Sequence, residues 1–335
     1  MEIVVIGLGS MGKRRIRLLH EMYVGAQIFG VDAKEDRRAE CGKLFSIRTY
    51  KSVNDCLQEH TPETAFVCTP PLSHAGIIRE CLSQDMNVFS EINLVPDGYA
   101  ENMELAKQRN RVLFLSSTPL YREEIGYISH RVKETDGVAN YSFHVGQYLP
   151  DWHPWDVLQD FFVSRKETNG CRELFAIELP GIVQTFGKVK RIKVMRHKAT
   201  SLPIQYDDSY FVMIEHETGH HGALMVDVVS REPVRHLEVF GEKLFLAWDG
   251  TPGSLREKDL ERRVMEAVDV YLDTQLRHEN EYSQNIIENA YAAEIKNFMA
   301  TVAGTEEPRY SFAADEEVLR LIDQIENSSR GKDND

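Results

Sequence analysis

The chain opens on a short apolar run, Ile3-Val4-Val5-Ile6, followed at once by Gly7-Leu8-Gly9-Ser10-Met11-Gly12. A strand with no polar face belongs in a parallel sheet buried on both sides. The G-x-G-x-x-G spacing after it has a specific physical use. The first glycine takes a tight turn, the second lets the backbone approach a pyrophosphate, and the third lets the next helix pack against the strand. That helix, expected from Met11 to about Glu21, would aim unpaired N–H groups and a positive dipole end at the phosphates. Asp32 ends the next expected strand, Gln27–Val31, at 32 − 12 = 20 positions past the last glycine. An acid at that distance accepts hydrogen bonds from an adenosine ribose and repels a 2′-phosphate. Gly7, Gly9, Ser10, Met11, Gly12 and Asp32 are therefore the expected cofactor-binding residues, with NAD favoured over NADP. Lys34, Arg37 and Arg38 follow and could receive a 2′-phosphate, although a solvated helix face is the plainer reading of them.

The first 118 or so residues continue to alternate strand and helix. Strands are expected at 46–50, 65–68, 87–90 and 112–115, and helices at 34–45, 73–84 and 96–109. Such alternation implies a doubly wound parallel sheet, a Rossmann domain over 1–118. Beyond a helix at 121–134 the rhythm changes to long strands at 140–147, 189–199, 209–217, 222–230, 234–240 and 243–248, with a hairpin turn over 216–222. These point to an α+β domain over 119–335 built on a large, mostly antiparallel sheet. Two helices, about 281–302 and 314–327, close the chain.

A chain of 335 residues, 42% hydrophobic and 27% charged, has room for two domains with real cores. Its formal charge, 39 − 53 = −14, argues against nucleic acid and anionic membranes as partners. The five scattered cysteines contain no C-x-x-C pair, so neither a disulfide framework nor a zinc knuckle is expected. With a strand already at Glu2–Gly7 in place of a leader, a cytoplasmic location is the expectation.

Together, Gly7–Gly12, Asp32, Cys68-Thr69-Pro70-Pro71-Leu72-Ser73-His74, the acid Glu91 and the later Tyr291-Ala292-Ala293-Glu294-Ile295-Lys296-Asn297-Phe298 resemble the Gfo/Idh/MocA oxidoreductases. That resemblance implies a two-domain NAD(P)-dependent enzyme acting on CH–OH groups of sugars, cyclitols or nucleotide sugars, and a homodimer or homotetramer. It implies Thr69, Pro70 and His74 along the nicotinamide half of the cofactor and Glu91 near the nicotinamide ribose. Two departures matter. Where the family reads Glu-Lys-Pro this chain reads Glu91-Ile92-Asn93, and isoleucine neither donates a proton nor bears charge. Where a helix normally carries an aspartate and a histidine four residues on, the matching places hold Glu173 and Ile177, or Glu178 with a one-residue shift. The altered pattern is similar to a branch associated with bacterial surface-sugar synthesis.

Oxidising a carbinol needs a base for the hydroxyl proton. Glu178, flanked by Ala176, Ile177 and Leu179, and His153, in the aromatic stretch Tyr148–Trp155, are the catalytic candidates, with Glu173, Tyr121 and Tyr148 behind them. A structural ion pair, with Arg172 as partner, is the competing reading of Glu178. Glu173 and Glu178 lie about 140° apart on a helix, at roughly 100° per residue, and cannot both face one substrate well. Pro180 should kink or stop that helix. His216, His220 and His221 share one turn too short to converge on a metal, and no metal site is expected. The leading expectation is an NAD(H)-dependent oxidoreductase of a sugar or nucleotide sugar. Its rival is an NAD-binding but catalytically degenerate regulatory or scaffold protein of a sugar-synthesis pathway.

Overall fold

The computed structural model describes residues 1–152, 161–272, 275–278 and 286–329. The chain divides into two compact units, residues 1–117 with 292–317 and residues 118–291 with 318–335.

The first unit is a six-stranded parallel sheet. Its strands are β1 (Glu2–Ile6), β2 (Gln27–Val31), β3 (Arg48–Tyr50), β4 (Thr64–Val67), β5 (Asn87–Ser90) and β6 (Leu113–Leu115), in the order β3-β2-β1-β4-β5-β6. The order reverses beside β1, and such a switch point is where open α/β sheets bind ligands. Helices α1 (Ser10–Met22), α2 (Glu35–Phe45), α3 (Val53–Leu57), α4 (His74–Ser83) and α5 (Tyr99–Arg109) connect the strands. The short α3 was not visible as apolar periodicity; it is set by Ser52, whose side chain caps it by accepting from the Asp55 N–H at 3.1 Å. Burial matches the sequence pattern: Ile3, Val4 and Val5 are fully buried, as are Phe66, Val67, Val88 and Phe89.

The late segment 292–317 packs into this same unit. Phe298 meets Phe66, Phe89 and Phe114 with ring centroids 5.4, 5.5 and 5.4 Å away. Tyr99 and Tyr310 both donate to Asp315, at 2.5 and 2.9 Å.

The second unit carries α6 (Glu123–Glu134), β7 (Asn140–Gly146), α7 (Gly170–Phe186), β8 (Val189–His197), β9 (Ser209–His216), β10 (His221–Asp227), β11 (Val234–Phe240), β12 (Phe245–Trp248), β13 (Arg256–Asp259) and β14 (Val264–Ala267). The last helices are α8 (Glu288–Val302) and α9 (Phe312–Glu326). The eight-stranded sheet runs β14-β13-β12-β11-β7-β10-β9-β8 and is antiparallel except where β7 meets β10. The charged strands β13 and β14, Arg256-Glu257-Lys258-Asp259 and Val264–Ala267, are edge pieces that alternation in the sequence did not reveal.

One face of this sheet buries Tyr141, Phe143, Tyr210, Val212, Leu224 and Val239. Helix α7 packs there, with Phe186 stacked on Tyr141 at 4.2 Å and Phe175 edge-on to Tyr210 at 5.5 Å. The helix runs through Pro180 to Phe186, so of the kink or stop expected of that proline the stop does not occur. The loss of one backbone hydrogen bond is offset by the burial of Phe175, Leu179, Ile182 and Phe186 on either side of it.

Candidate functional site

The glycine turn links the C-terminal end of β1 to α1. Gly7 has φ +93°, and a Cβ there would lie 2.7 Å from the Cys68 carbonyl carbon and 2.8 Å from the Thr69 nitrogen. A Cβ on Gly12 would lie 1.9 Å from the Gly7 oxygen. Both positions are demanded by the fold itself. Gly9 is different: the first atom its Cβ would meet is Arg37 Nη1, at an ordinary 3.7 Å. The protein's own packing does not need glycine there, whereas a pyrophosphate lying on the backbone does. Gly9 precedes α1 without a side-chain cap, and no acid stands in the first turn. The helix end is therefore open to an anion.

Asp32 faces that turn. Its Oδ2 accepts the Leu8 N–H at 2.8 Å and its Oδ1 the Lys34 N–H at 2.8 Å. Each oxygen keeps a lone pair for a ribose hydroxyl. Of the cations beyond it, Arg38 donates to the carbonyls of Asp32 and Ala33 at 2.8 and 2.9 Å, and Arg37 leans to within 3.6 Å of the Asp32 carboxylate. The arrangement fits a dinucleotide with a free ribose 2′-hydroxyl.

Thr69 and Pro70 leave β4 beside this turn, as the contact between Gly7 and the 68–69 backbone shows. Ser73 Oγ bonds Thr69 Oγ1 at 2.8 Å and the Pro70 carbonyl at 2.7 Å. His74 is only 2% exposed. Its Nε2 lies 2.6 Å from the Thr69 carbonyl and its Nδ1 2.6 Å from Asn93 Oδ1. Burial lowers the His74 pKa, which favours the neutral ring.

Glu91 is held by a buried cation that the sequence did not single out. Arg15, fully buried on α1, donates from Nε and Nη2 to the Glu91 oxygens at 2.6 and 3.2 Å, and from Nη2 to Glu294 Oε2 at 2.6 Å. Glu294 also accepts from Ser116 Oγ and the Ser117 N–H at 2.9 and 2.7 Å. Burial raises the Glu294 pKa, and Arg15 opposes that shift.

In the second unit, Glu178 is buried and accepts from Arg235 Nη2 at 2.5 Å. The ion pair expected with Arg172 is not formed; Arg172 donates instead to Asp323 and Glu326 at 2.8 and 2.5 Å. Glu173, one turn nearer the start of α7, has a buried Oε2 with no hydrogen-bond partner. Desolvation pushes its pKa up to about 7. Tyr121 is buried, and Tyr148 lies under the Arg231 guanidinium at 4.0 Å. His153 lies outside the described residues.

His216 and His220 of the hairpin are tied into the fold. His216 bonds the Gly187 carbonyl and the Tyr141 hydroxyl at 2.7 and 3.0 Å, and His220 accepts the Ala139 N–H at 3.0 Å. Among the described residues no three His, Cys, Asp or Glu side chains converge on a metal position, and no helix is long and apolar enough to cross a membrane.

Comparison with known proteins agrees with this geometry. Residues 1–117 match the Gfo/Idh/MocA family, described as an oxidoreductase family with an NAD-binding Rossmann fold. The matched residues carry the glycine turn and Asp32, the part of the chain whose sequence resembles that family. The chain is similar to biliverdin reductase A of Mus musculus, 31% identical over 132 residues, which are 39% of this chain and 44% of that protein. The match thus spans less than half the length of the curated relatives. The chain is similar in fold to UDP-N-acetylglucosamine 3-dehydrogenase GnnA from Acidithiobacillus ferrooxidans, at 18% identity, 98% coverage of each chain and a TM-score of 0.74. An oxidoreductase from Agrobacterium radiobacter, solved with NAD+, L-tartaric acid and magnesium, is similar at 14% identity, 96% and 94% coverage and a TM-score of 0.80.

Proposed function

We propose that this protein is an NAD(H)-dependent oxidoreductase that moves a hydride to or from a CH–OH carbon of a sugar or nucleotide sugar. The observation that carries the proposal is the cradle formed by Gly9 and Asp32: an open helix end where the fold has no use for glycine, facing a carboxylate with lone pairs to spare. The fold likeness to GnnA, named as a nucleotide-sugar dehydrogenase, supports the substrate class.

Bound NAD supplies the hydride acceptor. The chain's own residues must then hold the substrate and take the hydroxyl proton. Glu173 is the group best suited to that step, since a carboxyl with a pKa near 7 and an unpaired oxygen can accept a proton and return it. His153 is the second candidate. Glu178 would have to leave Arg235 before it could exchange a proton. The test is turnover with a panel of neutral, acidic and nucleotide-linked sugars plus biliverdin, followed by the absorbance of reduced nicotinamide. No turnover by material that binds NADH defeats the proposal.

The rival reading, a cofactor-binding regulatory or scaffold protein, draws on Ile92 in the lysine place and on the neutralisation of Glu178 by Arg235. It expects tight NADH binding without turnover. We also infer a homodimer or homotetramer formed through the outer face of the eight-stranded sheet, where Met195, Phe211 and Met213 are 73%, 44% and 57% exposed. Light scattering that gives a monomer at micromolar concentration removes that inference.

A further inference from the structure

Resting on the homodimer or homotetramer inferred above, we propose that a second copy of this chain docks on the outer face of the eight-stranded sheet about a two-fold axis running along β10. That axis sets Lys193 against Glu238 of the partner subunit.

The strand register lays that face out in rows. One row crosses five neighbouring strands as Lys193 on β8, Met213 on β9, Ala223 on β10, Ser142 on β7 and Glu238 on β11. Beside it runs a second row, Met195, Phe211, Met225, His144 and His236. A third starts at Arg191 and ends at Phe240. Side chains alternate along a strand, and the residues between these rows, among them Val212, Leu224, Phe143 and Val239, are the buried ones. Lys193 is exposed, and the Glu238 side chain is 41% exposed. Four strand spacings of about 4.8 Å hold the two roughly 19 Å apart, too far to pair within one chain.

A two-fold interface sets one patch against itself, and sheets packed face to face keep their strands nearly aligned. Two axes lying between the sheets meet both conditions. An axis across the strands lays each strand on its own copy, so the basic strand β8 would meet itself, with Arg191 and Lys193 on both sides. An axis along β10, the middle of the five strands, lays β8 on β11 of the partner subunit instead. Lys193 then faces Glu238 of the partner subunit, and Arg191 faces the partner's Phe240, an exposed ring that can take a guanidinium on its face. Exposed Met195, Phe211 and Met213 supply the apolar burial. The charges choose the axis. Five strands of about seven residues cover about 24 Å by 24 Å, the scale of a stable interface of about 800 Å² a side.

The test is the mass in solution, by light scattering and analytical ultracentrifugation, of five samples: wild type, Lys193→Glu, Glu238→Lys, the double variant, and an equimolar mixture of the two single variants. Each single variant sets like charges together twice in a symmetric pair. Its association should weaken at least about 10-fold, and its mass at micromolar concentration should halve. The double variant restores both contacts with the signs exchanged. The mixture restores them too, because a Lys193→Glu chain and a Glu238→Lys chain bring opposite charges together at both places. Both samples should return to the wild-type mass. Single variants that keep the wild-type mass, or that lose it with no recovery in the double variant and the mixture, overturn the proposal and leave the homo-oligomer reading standing. A wild-type monomer overturns that reading, and the proposal with it.

Discussion

Asp32 and Leu8 are bound to each other: the carboxylate proposed to receive the ribose also holds the Leu8 N–H, inside the glycine turn, at 2.8 Å. On that proposal, sugar recognition and phosphate-loop geometry share one side chain. Replacing it should do more than change coenzyme preference. Asp32→Ser removes the negative charge that repels a 2′-phosphate and leaves Arg37, now 3.6 Å from that carboxylate, free to receive one. NADPH affinity should rise by about 10-fold relative to NADH. The melting temperature should fall as well, because the Leu8 and Lys34 N–H groups lose their acceptor. Titration of both coenzymes beside a thermal melt measures both effects.

Gly9 offers a cleaner probe of the cofactor. Its missing Cβ would meet nothing nearer than Arg37 Nη1 at 3.7 Å. Gly9→Ala should therefore fold and melt like wild type while NADH affinity drops at least about 10-fold, since the methyl occupies the path of the pyrophosphate. Gly12→Ala, with its Cβ 1.9 Å from the Gly7 oxygen, should fail to fold and separates the two kinds of glycine. An unchanged NADH affinity in soluble Gly9→Ala protein contradicts the placement of the phosphates.

The contrast between these residues shows what a sequence makes legible. Gly7, Gly12 and Asp32 could be read because their constraint is local: strand, turn and helix follow one another along the chain. Five of the six parallel strands could be read for the same reason, since burial on both faces leaves each an apolar run; β3, Arg48-Thr49-Tyr50, is an edge strand without one. Arg15 could not. Its partners, Glu91 and Glu294, are 76 and 279 positions away, and nothing near Arg15 in sequence hints at two carboxylates. The packing of 292–317 into the first unit was hidden for the same reason. The apolar neighbours of Glu178, Ala176, Ile177 and Leu179, suggest a desolvated acid. It is buried, but Arg235, 57 positions on, supplies the counter-charge. The backbone rule for Pro180 allows a kink or a stop, and with Phe175 and Phe186 buried on either side of it the helix does not stop.

Glu173 carries a pH prediction whose sign follows from its raised pKa. Desolvation lifts the folded-state value to about 7, above the ordinary carboxyl value, so the folded protein holds a proton that the unfolded chain releases. Its contribution to stability is full below the unfolded pKa and is lost as pH rises through about 7. Glu173→Gln removes the titrating group and keeps the shape. The variant should match wild type in acid, melt higher than wild type above neutrality, and show a flatter dependence of melting temperature on pH. If Glu173 is also the proton acceptor, the same variant should lose turnover by about 100-fold or more, the usual scale of general acid–base catalysis, while NADH binding stays unchanged.

The Glu178–Arg235 pair separates charge from shape. Glu178 is 4% exposed and its oxygen lies 2.5 Å from Arg235 Nη2. Removing one member of such a pair leaves the other charge stranded in poorly hydrated surroundings, a cost of about 3–5 kcal/mol, whereas replacing both by apolar groups of similar volume is often neutral. Glu178→Leu and Arg235→Met should each lower the unfolding free energy by roughly that amount at neutral pH, and the double variant should recover most of it. Chemical denaturation of the four proteins gives the coupling directly. If the double variant keeps turnover, Glu178 takes no part in proton transfer, and the chemistry is left to Glu173 or His153. If turnover vanishes in every variant that lacks Glu178, including the stable double variant, the pair is a switch that opens during the reaction, and Glu178 returns as the acid–base group.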